Sequence, residues 1–184
     1  QRMIRISRGA ATARRTCGMA GSKVSPTESL DTEPPRQLEQ DSVELASRHA
    51  LGWLVFGNAI GLLLAVLLLE PEWQPGRWTY GHWVPLHLNA QLYGWTALPL
   101  VAWLLSIYQV EHSSARAWGA GAVWAWTAAL AFSCFRWLSG ETSGKIFLDW
   151  RNASLWSFIV ALVLLWLVLV LAWKDRGKAW GKLR

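Results

Sequence analysis

Residues 79–105 read TYGHWVPLHLNAQLYGWTALPLVAWLL. From Trp83 onward the run is too long and too apolar for an ordinary core helix, and the imidazole it encloses is that of His87, about a turn inside its start. A hydrocarbon core about 30 Å thick needs roughly 20 mostly apolar residues to be crossed as a helix, and residues 83–108 meet that length. An ionisable side chain at membrane depth costs roughly 3 kcal/mol on insertion scales, so it turns toward protein, water or a cofactor rather than lipid. His87 is therefore the leading candidate for a cofactor-binding and metal-ligating side chain.

Working outward, three further apolar blocks have the same character. The sequence predicts an all-α membrane protein with four transmembrane helices, at about residues 50–69, 83–108, 117–137 and 153–173. Composition agrees: 53% of the 184 residues are hydrophobic, 15 are Trp and only 16% are charged, with the apolar residues gathered into blocks. The first block ends at Glu70-Pro71-Glu72, where charge and proline stop an apolar helix. Gly57 and Gly61 form a small-xxx-small pair that admits a close neighbour, and Asn58 calls for a polar partner on another helix. Arg48 and His49, at the entrance of this block, read as a solvated or headgroup-contacting pair.

In the second block Pro85 is expected in the first turn, where its absent N–H loses no intrahelical acceptor, and Pro99 is expected to kink the span. His87, Ala90, Gln91 and Gly94 share one face. An imidazole followed by small residues leaves room there for a flat macrocycle packed edge-on. The third block, rich in Ala and Gly, suits close packing and ends at Arg136, which can snorkel to the interface. A polar loop over residues 139–152 precedes the fourth block, which is nearly unbroken Leu, Val, Ile, Ala and Trp and reads as packing or lipid-facing scaffold.

The ends differ in kind. Residues 1–48 are poor in large apolar side chains and cannot bury a core, so a disordered tail is expected there, and residues 177–184 form a basic tail. Residues 1–25 lack Asp and Glu and carry Arg2, Arg5, Arg8, Arg14 and Arg15, the composition of a transit peptide. Met19 offers an alternative start, and on that expectation part of the Arg-rich stretch would be upstream sequence rather than naturally translated chain. The net charge of +6 resides in tails and short loops rather than on a continuous basic face, which argues against nucleic-acid binding. Cys17 and Cys134 make neither a metal pair nor a disulfide framework. The tails carry Arg36, Arg48, Lys174, Arg176, Lys178, Lys182 and Arg184 against Arg77 in the first loop, so both tails are expected in the cytoplasm and His87 toward the outer face.

Haem iron takes histidine as an axial ligand, and a b-type haem between helices needs one on each side of the ring. His82, five residues before His87, is expected in the loop, while His49 and His112 lie at the opposite boundary. No bis-histidine site closes within these four spans. On the residues alone His87 is either one ligand or a hydrogen-bonded polar group between helices.

The stretch TYGHWVPLHLNAQLYGW, residues 79–95, resembles the second helix of haem-copper oxidase subunit I, most closely the C-type (cbb-type) cytochrome c oxidases. There a Tyr-Gly entrance, a P-x-H-x-N core and an apolar continuation surround the ligand of the low-spin haem, and the histidine of that core falls on His87. The likeness continues in RHALGWLVFGNAIGLLLA of the first span and, more loosely, in SGETSGKIFLDW before the fourth, covering about residues 44–176. It implies the N-terminal portion of a cytochrome c oxidase subunit I in aerobic respiration. His87 would supply one axial ligand to a low-spin b haem, and electrons would pass on to an oxygen-reducing haem-copper centre. The family's second haem ligand, high-spin haem ligand, copper histidines and cross-linked tyrosine belong to later helices, so copper and the high-spin haem are expected in a missing C-terminal part and no oxygen reduction by this chain alone. Its partners would be the lipid bilayer and other oxidase subunits, among them a c-type cytochrome, in a bacterial inner membrane. A nitric oxide reductase of the same superfamily and a small four-span protein without cofactor are the alternatives.

Overall fold

Four helical spans, alternating in direction, make up the computed structural model, which describes residues 41–73, 76, 78–143, 145 and 147–181, with side chains as far as residue 177. The described residues form helices and turns without strands. In chain order they are α1 (Ser42–Leu69), α2 (Tyr80–Asn89), a π-helical segment (Ala90–Thr96), α3 (Ala97–Ile107), a 3₁₀ turn (Val110–His112), α4 (Arg116–Leu138) and α5 (Asn152–Gly181). α2, the π segment and α3 make one span, so four spans are long and apolar enough to cross a membrane. At 1.5 Å per residue the shortest of them, 23 residues, covers roughly 35 Å. Residues 1–40 and 182–184 lie outside the described residues, and with them nearly all of the expected N-terminal tail and Cys17.

The first and last helices are longer than the apolar blocks that announce them. α1 starts at Ser42 rather than near residue 50, because its polar first two turns are capped and packed. Asp41 accepts the Val43 N–H (3.0 Å), the Ser42 N–H donates to Glu111 Oε1 (2.8 Å), and Leu45 and Ala46 are buried. Residues 42–48 are thus helix, not tail. α5 likewise runs on to Gly181, through residues expected in the basic tail. α2 begins at Tyr80, three residues early, with the Thr79 backbone N–H reaching His82 Nδ1 (3.3 Å) and its hydroxyl 2.9 Å from the same nitrogen. His82 therefore sits in the first helical turn instead of the loop. Pro85 becomes the sixth residue of the helix, beyond the first turn expected for it, and leaves the Gly81 carbonyl without its usual i+4 donor.

Pro99 acts on the turns before it. The span stays helical through residues 90–96 but widens to π geometry, with the Ala97 N–H reaching back to the Leu92 carbonyl. A wider turn just before a proline eases the contact of its ring with the carbonyl four residues back. Within the widened turn the Tyr93 carbonyl accepts Trp126 Nε1–H from α4 (2.9 Å). Neighbouring helices commonly satisfy such loosened backbone groups inside a membrane.

The core is built from one stripe per helix. α4 turns Gly119, Ala122, Val123, Trp126, Ala129, Leu130, Ser133 and Trp137 inward, and α5 answers with Phe158, Ala161, Leu165, Val168 and Ala172. That spacing is the 3-and-4 alternation of a helix stripe. The opposite faces carry Val55, Leu62, Trp103, Trp124, Trp156 and Trp166, all more than half exposed, as lipid-contacting surfaces require.

Candidate functional site

The site is the contact between α1 and α2, where small residues on both helices let the backbones come close. Gly61 faces His87, Gly57 faces Gln91 and Gly94 faces Trp53, at steps of about one turn in a single antiparallel register. A Cβ on Gly61 would stand 2.8 Å from His87 Cε1, one on Gly57 2.9 Å from Gln91 Nε2, and one on Gly94 2.5 Å from Trp53 Cβ. At Gly94 the clash would fall on the base of the Trp53 side chain and at Gly61 on the imidazole ring, so proximity favours glycine at both, whereas at Gly57 it would fall on the movable amide end of Gln91. The small-xxx-small pair of the first span is therefore used as expected, and Asn58 finds its partner: Gln91 Nε2 donates to Asn58 Oδ1 at 3.0 Å.

His87 is half-buried in this seam. Its Nδ1 lies 2.8 Å from the Gly57 carbonyl oxygen, across from a different helix. A carbonyl only accepts, so Nδ1 is the donating nitrogen, and in the neutral ring Nε2 carries the lone pair. Among the described residues Nε2 has no hydrogen-bond partner.

The shared face of His87, Ala90, Gln91 and Gly94 is real, but the space expected beside it is taken. Ala90 and Gly94 are buried and Trp53 of α1 closes over Gly94, because the glycines of α1 let that helix fill the gap. A macrocycle does not fit along that face, which leaves the Nε2 edge of the His87 ring as the side a ligand would have to approach. The donor set at this edge suits one axial position of a haem. It supplies a ring nitrogen without a hydrogen-bond partner among the described residues, the other nitrogen being held by the backbone, as is usual for a metal-bound histidine.

The other histidines do not join it. His82 is tied to Thr79 and has Nε2 3.5 Å from where a Gly140 side chain would begin. His112 is exposed beyond α3. His49 departs from expectation: it turns into the bundle, with Nδ1 2.7 Å from Thr127 Oγ1 of α4 and its ring edge-on to Trp124 at 4.5 Å. Arg48 beside it stays outside, paired with Glu44 at 2.6 Å. A groove of about 460 Å³ follows His49 between α1 and α4, walled by Trp53, Phe56, Ala131 and Cys134. No group of three or more His, Cys, Asp or Glu able to hold a metal ion occurs among the described residues.

No family model, curated protein or solved structure matches this chain.

Two features of the neighbourhood had no signal in the sequence. An aromatic cluster of Tyr93, Trp126, Trp137, Trp150 and Phe158 fills the space between the π segment, α4 and α5, with Trp150 stacked on Phe158 at 4.2 Å. At its edge Asn89 Oδ1, Tyr93 OH and Trp150 Nε1 are buried without hydrogen-bond partners among the described residues. The loop before α5 is held by Asp149, buried at 1% exposure, whose carboxylate accepts the Ser143 N–H and hydroxyl at 2.6 to 2.9 Å. Its backbone carbonyl takes Trp137 Nε1–H (2.9 Å). These bonds fully account for Asp149 as a loop-closing residue. Arg136 pairs with Glu141 at the end of α4 and leans over the Phe132 ring rather than reaching out alone.

Proposed function

We propose that this chain is the N-terminal part of subunit I of a C-type haem-copper oxidase, and that His87 holds one axial position of its low-spin b haem. The observation that carries the reading is the state of His87: a membrane-span imidazole with Nδ1 bonded to the Gly57 carbonyl and Nε2 free of protein partners among the described residues. A ring nitrogen left with its lone pair while the other is held by the backbone is the atom an iron would bind. The P-x-H-x-N core at residues 85–89, in the second of four spans, supports the same reading.

When bound, the haem supplies one-electron transfer toward an oxygen-reducing centre. The chain's own residues bind and orient: His87 offers the ligand atom, α1 backs it, and α4 and α5 brace the π segment below it. The second axial ligand, copper and the high-spin haem come from parts of the complex beyond these spans, alongside a c-type cytochrome subunit. The excess of basic residues in the tails over the first loop supports an orientation with both tails in the cytoplasm and His87 toward the periplasmic side of a bacterial inner membrane.

The test is the reduced-minus-oxidised optical spectrum of the purified complete complex with and without His87→Ala. Loss of the low-spin b band is expected. A band that survives at full intensity makes His87 an interhelical polar group and removes the respiratory assignment.

A further inference from the structure

We infer that α1 sets the tautomer of His87: the Gly57 carbonyl and the bare Cα of Gly61 are positioning elements that hold the ring with Nδ1 protonated and Nε2 as its only basic nitrogen. The first half of this concerns the chain itself and is independent of any cofactor. Its consequence for a metal rests on the proposed haem reading.

The Gly57 carbonyl lies in the middle of α1, where it also faces the N–H of Gly61, four residues on. A carbonyl oxygen has two lone pairs, so a second donor can join without breaking the helix. His87 Nδ1, at 2.8 Å, is that second donor. Reaching it brings the Cε1 edge of the ring against the next turn of α1. Gly61 makes this possible: a Cβ there would stand 2.8 Å from Cε1, 3.3 Å from Nδ1 and 3.5 Å from Nε2. The whole Cε1 edge of the imidazole thus occupies the volume that any other residue would fill.

The register of the pair fixes the ring along the seam as well. Gln91, one turn further, is bonded to Asn58 and pressed on Gly57, and Trp53 closes on Gly94 beyond it. Sliding α1 along α2 to relieve the ring would break both contacts. The imidazole therefore has one place, one orientation and one proton position.

A backbone carbonyl on Nδ1–H raises the basicity of Nε2 less than a carboxylate would, and it does not titrate. The carbonyl therefore adds no pH dependence of its own at Nδ1. This contrasts with a histidine whose second nitrogen faces solvent or an acid.

The experiment is nitrogen-15 NMR of histidine-labelled full chain in lipid bilayers without haem, on the wild type, Gly61→Ala and Gly52→Ala. Gly52 has no atom within 4 Å of a built Cβ, so it is the matched control on the same helix. The wild type and Gly52→Ala are expected to show His87 with Nδ1 protonated and Nε2 unprotonated. Gly61→Ala should lose that single state. A wild type with Nε2 protonated overturns the inference, whatever the variants do, and so does a Gly61→Ala spectrum identical to the control. In the complete complex, Gly61→Ala but not Gly52→Ala should shift the midpoint potential of the low-spin b haem. If the NMR result holds while His87→Ala leaves the b band intact, the tautomer assignment stands and the haem reading alone falls.

Discussion

Asn58 and Gln91 each carry an amide on the exposed edge of the α1–α2 seam, where they bond to each other across the helices. Interhelical hydrogen bonds of this kind are nevertheless modest, averaging about 0.6 kcal/mol by double-mutant cycles. A cycle built from Asn58→Leu and Gln91→Leu, read by thermal unfolding in bicelles, should return a coupling of about that size. A coupling of zero means the amides are satisfied elsewhere in the membrane. Steric effects along the same seam are larger. Gly94→Ala drives a Cβ to 2.5 Å from Trp53 and should cost about 1 to 3 kcal/mol, the usual range for overpacking. Gly52→Ala, on an open part of α1, should be neutral or stabilise by about 0.5 kcal/mol through helix propensity. If the two substitutions unfold at the same temperature, the close approach of the helices is wrong.

At the scale of elements, the second span shows how two prolines are accommodated with one helix retained. Pro85 sits past the first turn, and Asn89 Nδ2 donates to its carbonyl at 2.7 Å, tightening the turn that carries His87. Pro99 is preceded by the π segment, whose Tyr93 carbonyl depends on Trp126 of α4. Trp126→Phe keeps the ring in contact with Phe158 and removes only this donor. It should cost about 1 kcal/mol and speed amide exchange over residues 93–98 while leaving α1 unchanged. Uniform exchange across the bundle would instead mark loss of packing. α1 gives a second element-scale case. Asp41→Ala removes the side-chain cap on Val43 and should cost about 1 kcal/mol, confined in hydrogen exchange to the first turn.

For the molecule as a whole, the end of the bundle opposite His87 is clasped by polar residues from three chain segments. Glu111 receives the N–H and hydroxyl of Ser42 and lies 3.4 Å from Arg116. Ser114 donates twice to Asp175 of α5, and Arg176 donates to the Ile107 carbonyl (2.8 Å). These bonds tie the start of α1 and the end of α5 to the turn between α3 and α4. Glu111→Ala strands two donors of Ser42, which is 1% exposed, and should lower stability by about 1 to 3 kcal/mol. His112→Ala, on the exposed next residue, should change it by less than about 0.5 kcal/mol. Equal melting temperatures for the two would show that the clasp does not hold the ends together.

What the sequence determined by itself was set by solvent: runs of apolar residues as long as a bilayer is thick have one stable form, so four spans and their order were legible without coordinates. Periodicity also placed His87, Ala90, Gln91 and Gly94 on one face and marked Gly57 and Gly61 as a close-packing pair, since both follow from 3.6 residues per turn. Tertiary structure decided what those faces meet. That the Gly57 carbonyl takes the Nδ1 proton of His87, that α1 fills the space beside Gly94, and that His49 turns inward to Thr127 all depend on the register between helices distant in sequence. The early start of α1 has the same origin. Its first turns are polar and carry no length signal, and they become helix because Glu111, some 69 positions away, completes their hydrogen bonds.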